Sequence, residues 1–435
     1  MNQLMVTNLM VDVGNREKWV WLLLILVTGV VTAVAILFNL LTFTTIGLTG
    51  LVVSLLILAL FAYRPGSLLI LYLLTLPAYT LTLAFLYHVT GSPLLINLLQ
   101  PWKEVAALFV LSLVLLKALA MYRIPRLHLL DILTLFFLGL NLLYLILPWG
   151  PSVSIRLYGF RANTFWVIIY WLGRLVPLSR SQQKWVLGLL VAIGALTGLM
   201  TIVEVIALPL DWPIHIGLMD YLRDFFNTSP RGNYGLTWTF ETATGLRRRS
   251  AFWANPLELA SSTLITGMAT LFVLFRYRAH TWGRFWTTIA LGLVVLSLLL
   301  SVSRASLIAF VIQVLVASFW LRKPRLMLFY LFVLSIGIVL LLLVANQQVT
   351  AFIWETVTFQ NSSSQGHLRG WIEGMEAIWQ QPWGLGLGSS GHIGSRFGDQ
   401  VGGENQFVIL GVDLGLIGIG LYILILLSAI RSSLQ

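Results

Sequence analysis

Apolar runs of about twenty residues recur along most of this chain, and that is the length an α-helix needs to cross the ~30 Å hydrocarbon core of a bilayer. In lipid every backbone N–H and C=O must find its partner inside the protein, so runs of this kind fold as helices. Twelve spans are read, at 19–40, 42–63, 67–88, 104–122, 129–149, 162–178, 185–207, 252–275, 285–302, 305–320, 326–345 and 406–429. The sixth is short and carries Arg174. The fold class is therefore all-α, a polytopic membrane bundle of about twelve transmembrane helices. Composition agrees, because 58% of residues are apolar and only 10% charged, where a soluble domain carries about a quarter. The first run lacks a small-residue cleavage site and reads as a retained helix.

The net charge of +11 would suit a nucleic-acid partner, but its placement argues for topology instead. With the N-terminus inside, fifteen Lys and Arg fall in short cytoplasmic segments. The short outer loops hold only Lys103, Arg156, Arg161 and Arg304. The positive-inside rule then puts both termini in the cytoplasm, and the basic excess is mostly topogenic. There are no cysteines, which excludes disulfides, thiol catalysis and thiolate metal sites.

Two outer segments are long, 208–251 and 346–405, and all other connections are short. Long loops of this kind are more often functional than connecting. One membrane domain over 1–435 is expected, with the two loops forming a small extracytoplasmic cap and the second carrying the candidate site. In the second loop, Leu368, Trp371, Ile372, Met375, Ile378 and Trp379 recur at helical spacing. Pro382 ends that helix, and Gly384, Gly386 and Gly388 let the backbone turn and approach a ligand. The loop is expected to be tied down by its aromatic residues.

Charged residues near the outer face carry the candidate chemistry. Arg247, Arg248 and Arg249 stand together just before the eighth span, against the topogenic trend. Guanidinium forks match phosphate oxygens, so the triplet is a candidate polyanion site; anionic lipid headgroups are the blander partner. Arg304 lies in the tight turn Ser303-Arg304-Ala305 and is a second candidate phosphate ligand. Arg369 adds a third cation, although pairing with Glu373 on its helix would explain it as well. Glu404, after two glycines and beside Asn405, is the candidate general base. His392 is the alternative, and His367 a further one. Asn255 is placed to cap the eighth helix. The sequence has no P-loop, no Gly-x-Ser-x-Gly elbow, and no Asp-x-Asp or His-x-x-x-His spacing. No metal or cofactor site is read.

Taken in order, Arg248-Arg249 with Asn255-Pro256, then Ser303-Arg304-Ala305, Arg369-Gly370-Trp371, Pro382 to Gly386, and Glu404-Asn405-Gln406-Phe407 with Gly411 and Gly415 resemble the O-antigen ligase and Wzy polysaccharide polymerase superfamily. The resemblance covers roughly 245–425. It implies a membrane glycosyltransferase of the bacterial inner membrane whose donor glycan rides on undecaprenyl diphosphate, with inverting, metal-independent transfer. By the same resemblance Arg248 and Arg304 hold the diphosphate, Arg369 lies nearby, and the residue before Asn405 activates the acceptor hydroxyl. Ligases place a histidine there, and this chain has Glu404, which favours a polymerase. The expected partners are lipid-linked donor and acceptor and membrane lipids, with a chain-length regulator or flippase as further company and no nucleic acid. Chemistry points the same way, since nucleotide sugars are cytoplasmic and an outer-face donor must arrive on a lipid. The alternatives are a ligase acting on lipid A–core, a small-anion transporter with the arginines as its vestibule, and a scaffold subunit. The transporter is disfavoured because no helix-breaking pair or buried charge is read at midplane.

Overall fold

A computed structural model describes residues 65–120, 126–176, 178–276, 282–320, 362–398 and 401–434, with isolated positions at 322, 335, 354 and 358. In chain order the helices are α1 (Ser67–Thr75), α2 (Tyr79–Thr90), α3 (Pro93–Leu99), α4 (Trp102–Ala120), α5 (Leu129–Ile146), α6 (Val153–Leu175), α7 (Arg180–Ile206), α8 (Trp212–His215) and α9 (Leu218–Phe226). A 3-10 turn over Trp238–Phe240 follows, then α10 (Pro256–Arg276), α11 (Trp282–Leu300), α12 (Arg304–Trp320), α13 (Ser362–Gln380), α14 (Gly391–Phe397) and α15 (Gln406–Leu434). The molecule is all-helical, with two isolated β-bridges among the described residues.

The count of spans is smaller than twelve among the described residues. Five helices are long and apolar enough to cross a bilayer, α5, α7, α10, α11 and α15. The α1–α2 pair makes a sixth if it is taken as one span bent by 62°, with Pro77 at the bend. Helix α12 has 17 residues, and α4 carries Lys103, Glu104 and Lys117. The runs 19–40, 42–63 and 326–345 lie outside the described residues. The sixth run is a longer helix than its apolar stretch implied, because α6 begins at Val153. Its extra turns are held by Arg156, which donates to the carbonyls of Leu145 and Leu147 at the end of α5. Farther along, Arg161 pairs with Glu104 at 2.7 Å. At its other end Arg174 pairs with Asp131 at 3.4 Å.

Only 28–50% of each spanning window is buried within the protein, so most of the apolar surface faces outward, as lipid requires. Packing divides into two groups. Helices α7, α10 and α11 contact one another, and α7 approaches closely through small residues. A Cβ on Gly194 would stand 2.6 Å from Val294, and one on Gly198 would stand 2.5 Å from the Leu293 carbonyl oxygen. That is the small-residue packing of helices in membranes. The second group joins α5, α6 and α15 through Phe137, Tyr144, Val167, Trp171, Leu387, Leu410 and Leu414. The segment 208–251 packs on α2 and α3, where Leu218, Tyr221, Leu236 and Phe240 meet Leu83 and Ile96.

Candidate functional site

The arginine triplet separates into different roles because its backbone is extended. Glu241 and Arg247 pair as an antiparallel bridge, and the Arg248 N–H donates to the Phe240 carbonyl at 2.8 Å. Alternate side chains then leave opposite faces. Arg247 and Arg249 turn toward Glu204, the fully buried acid near the end of α7. The Glu204 carboxylate accepts the backbone N–H of Ser250 at 3.0 Å and of Ala251 at 2.8 Å, with Arg247 at 3.6 Å. Arg249 donates to the Glu204 carbonyl at 3.2 Å. Arg247 also donates to the carbonyl of Leu210 at 2.9 Å and lies 4.9 Å from the Phe240 ring centre. Burial pushes its guanidinium down to about 10. It is a buried structural cation.

Arg248 faces away from that knot. Its Nε is buried and has no hydrogen-bond partner. Its electrostatic neighbour is another cation, Arg304, and burial together with that repulsion lowers its pKa. The two meet because the Arg249 N–H donates to the carbonyl of Leu300 at 3.0 Å, tying the first loop to the end of α11 four residues before Arg304. Ala251 and Val302, which flank this junction, have φ of 49° and 50°. Non-glycine residues reach that region at a cost and gather at functional sites.

The second loop is organised by glycines. Helix α13 docks through Gly370 and Gly374, where an added Cβ would stand 3.0 Å from Gly403 Cα and 3.1 Å from Gly402 Cα respectively. Arg369 and Glu404, the next residues along each strand of this contact, therefore sit on adjoining backbone. Both are exposed and no ion pair joins them. The tryptophans do not tie this loop down, although Phe397 packs on the Tyr158 ring at 5.5 Å. Trp371 is 40% exposed, Trp379 84% and Trp383 61%, and only Ile378 of the helical stripe is buried. Close glycine approach leaves the other face of α13 free, and tryptophan on an outward face is the composition of a membrane interface.

Beyond Pro382, Gly384, Gly386 and Gly388 adopt φ of 86°, 103° and 81°, and the loop lies flat against α15. That helix is broken at Gly415, whose φ is 70°. The loop backbone satisfies the break. Leu385 N–H donates to Val412 at 2.6 Å, Gly386 N–H to Asp413 at 3.2 Å, and Leu416 N–H to the Pro382 carbonyl at 2.9 Å. The Asp413 carboxylate, 2% exposed, accepts from Gly388 N–H at 3.1 Å, from the Ser390 hydroxyl at 2.9 Å and from the Asn163 amide at 3.4 Å. A buried charge beside a helix break was not expected from the sequence.

The structure thus brings Arg248 to Arg304 and Arg369 to Glu404. Neither Arg369 nor Glu404 bonds to the first-loop arginines among the described residues. Asn255 and Asn405 are helix caps, the first accepting from Leu257 and Glu258 N–H at 3.0 and 2.9 Å, the second from Phe407 N–H at 2.9 Å. His392 is exposed on α14, with no hydrogen bond to its ring. Sequence reading places Glu204 and Asp413 inside spans toward the outer side without giving them a role, and it passes over Arg396. Arg396 donates to the Phe225 carbonyl and lies 5.0 Å from the rings of Tyr158 and Phe226, so it joins the two outer segments. Buried acids in apolar spans were its available signal for the first two. No group of three His, Asp or Glu placed to hold a metal occurs among the described residues.

Residues 288–423 match the protein-family model Wzy_C, O-antigen ligase. No curated protein and no solved structure matches the chain. The matched stretch holds Arg304, Arg369 and Glu404, and the first-loop arginines lie upstream of it. Enzymes of that family transfer lipid-linked glycans, and this chain is similar to them over that stretch, less than a third of its length; its apolar helices make it a multi-pass membrane protein.

Proposed function

We propose that this chain is a polysaccharide polymerase of the O-antigen type, transferring an undecaprenyl-diphosphate-linked glycan onto a lipid-linked repeat unit at the extracytoplasmic face. One observation carries the reading: Arg248, with a buried and unbonded Nε, stands beside Arg304. Two guanidinium groups held near one another favour binding of an anion, and a lipid diphosphate matches both the charge and the location. Glu404 takes the proton of the acceptor hydroxyl. The acceptor oxygen attacks the anomeric carbon as its bond to the diphosphate breaks, with inversion. Undecaprenyl diphosphate leaves with the electron pair, and Arg248 and Arg304 stabilise its charge. Arg369, on the backbone next to Glu404, orients the acceptor or the leaving group. Both termini are cytoplasmic on this reading.

The second reading is an O-antigen ligase with lipid A–core as acceptor, and the description of the matched family favours it. Glu404 in place of a histidine before Asn405 supports the polymerase. A transporter gains the helix break at Gly415, yet the freed backbone groups there are taken by the loop itself, which leaves no vacant ion ligands at that point. Purified protein in nanodiscs, given the lipid-linked repeat unit alone, is expected to yield a ladder of products. Transfer only when lipid A–core is added would establish the ligase.

A further inference from the structure

We propose that the second outer segment re-enters the membrane: α13 and the glycine turn after it descend beside α15 into the extracytoplasmic leaflet, and the exposed stripe of α13 is seated in bilayer lipid. The path of α13 follows from what it touches. Gly370 lies against Gly403, Gly374 against Gly402 and Val408, and Ile378 against Gly411. The Pro382 carbonyl then accepts the Leu416 N–H at 2.9 Å. Residue numbers rise together along both elements, so α13 runs alongside the first half of α15 and does not lie across its end. The depth follows from the other half. Arg431 is the first charge after Asp413, sixteen residues beyond Gly415. At about 1.5 Å per residue that is about 24 Å of helix, short of the ~30 Å hydrocarbon core. With Arg431 at one boundary, the break at Gly415 and the loop that meets it fall inside the other. Non-helical backbone at that depth must be satisfied by protein, and the hydrogen bonds between Pro382–Gly386 and α15 do so. The outer end of α5 reaches the same level, where the Tyr144 hydroxyl donates to the Trp383 carbonyl.

Three sides of α13 then have three surroundings. Gly370, Gly374 and Ile378 meet protein. Arg369, Glu373, Glu376 and Gln380 form an exposed polar side. Leu368, Trp371, Ile372, Met375 and Trp379 form the stripe, and all five are exposed. A contiguous apolar patch of that size marks an interaction surface, and its neighbours identify lipid as the occupant. Past the break, Leu416 and Ile417 of the spanning helix α15 are exposed as well, so the stripe continues into the surface that faces the bilayer. Exposed Trp383 follows the stripe, and exposed Trp149 lies by Tyr144 with ring centres 6.3 Å apart; tryptophan gathers where chains meet headgroups. Where the apolar and polar sides join, Met375, Glu376, Trp379 and Gln380 line a cavity of about 340 Å³. A thioether and an indole on one wall, with a carboxylate and an amide on the other, suit a lipid at the depth where chain gives way to headgroup. Two acids against one arginine on the polar side give no attraction to anionic headgroups, so apolar burial holds the helix. Arg369 lies ten residues above Trp379, about 15 Å of helix, so the lipid seat fixes the height of Arg369 and of the adjoining Glu404 over the membrane.

The chain has no cysteine, so a nitroxide can be placed at single sites of the full protein in phosphatidylcholine vesicles. Labels on Met375→Cys and Trp379→Cys are expected to collide more with oxygen, which concentrates among acyl chains, than with a water-soluble nickel chelate. The preference should reverse on Glu373→Cys, on the polar side. A preference for the chelate at both stripe positions would overturn the insertion. Shielding of both from either reagent would mean that protein covers the stripe, and would overturn the lipid seat. A second measurement does not depend on how a cysteine variant folds. Brominated phosphatidylcholine should quench the tryptophan emission of wild type, and the triple variant Trp371→Phe, Trp379→Phe and Trp383→Phe should lose part of the quenched signal. An unchanged quenched signal in that variant would also overturn the proposal.

Discussion

Arg247, Arg248 and Arg249 are neighbours of one chemical kind, and the sequence offers no means of ranking them. Backbone alternation and one buried acid do so. Glu204 draws Arg247 and Arg249 to one side, which leaves Arg248 facing Arg304. Removing Arg247 would strand a buried carboxylate, a change that costs about 3–5 kcal/mol. Arg247→Ala is therefore expected to lower the thermal unfolding temperature or the yield of folded protein. Arg248→Ala should leave unfolding near wild type and weaken undecaprenyl-diphosphate binding, read by a filter or thermophoresis assay. Equal destabilisation by both would contradict this division. Glu404→Gln is expected to abolish transfer while the donor still binds; near-normal turnover would remove Glu404 as the base and move attention to His392. At this scale, residue type and position were legible. The partner of each arginine was not, because Glu204 is far from the triplet in sequence and reaches it only through the fold.

Among the elements, α13, the glycine turn and α15 show how much a periodicity leaves open. The helical stripe of α13 and its end near Pro382 were legible, as was the need for tight turns at Gly384, Gly386 and Gly388. Which part of that stripe is buried was not legible, since hydrophobicity marks what avoids water and does not distinguish a protein core from lipid. The contacting face is the one with Gly370 and Gly374, where close backbone approach decides the geometry. The break in α15 was hidden for a related reason. Gly415 lies in an apolar run, and nothing local reveals that a distant loop will satisfy its freed backbone. Gly415→Ala adds a Cβ against the Pro382 carbonyl at a φ of 70°. Left-handed strain alone costs about 1–3 kcal/mol. The variant is expected to increase proteolytic cleavage between 382 and 398 and to lower turnover, where a wild-type cleavage pattern would show that the loop does not depend on the break. Asp413→Ala should produce the same loosening, because it removes the acceptor for Gly388 and Ser390.

Across the whole molecule, hydropathy gave the membrane class directly, and the helices described bear it out in kind. Five helices, or six with the bent pair, are long and apolar enough among the described residues, and α4 and α6 are helices whose ends carry ion pairs. Contact between the two outer segments could not be read from sequence, and it depends largely on Arg396 among the rings of Tyr158 and Phe226. Arg396→Ala is expected to raise amide exchange in both 218–226 and 391–397. A rise confined to the second segment would mean that the first is held without it.

The central claim is that the first-loop arginine and Glu404 face one extracytoplasmic pocket, and the absence of native cysteines makes a direct measurement available. In the double variant Arg248→Cys and Glu404→Cys, both thiols should react with a membrane-impermeant maleimide from the outer face of intact cells. A short bis-maleimide should join them in purified protein. Labelling from opposite faces, or a crosslink that never forms, would contradict a shared pocket and with it the glycan-transfer mechanism proposed for these residues.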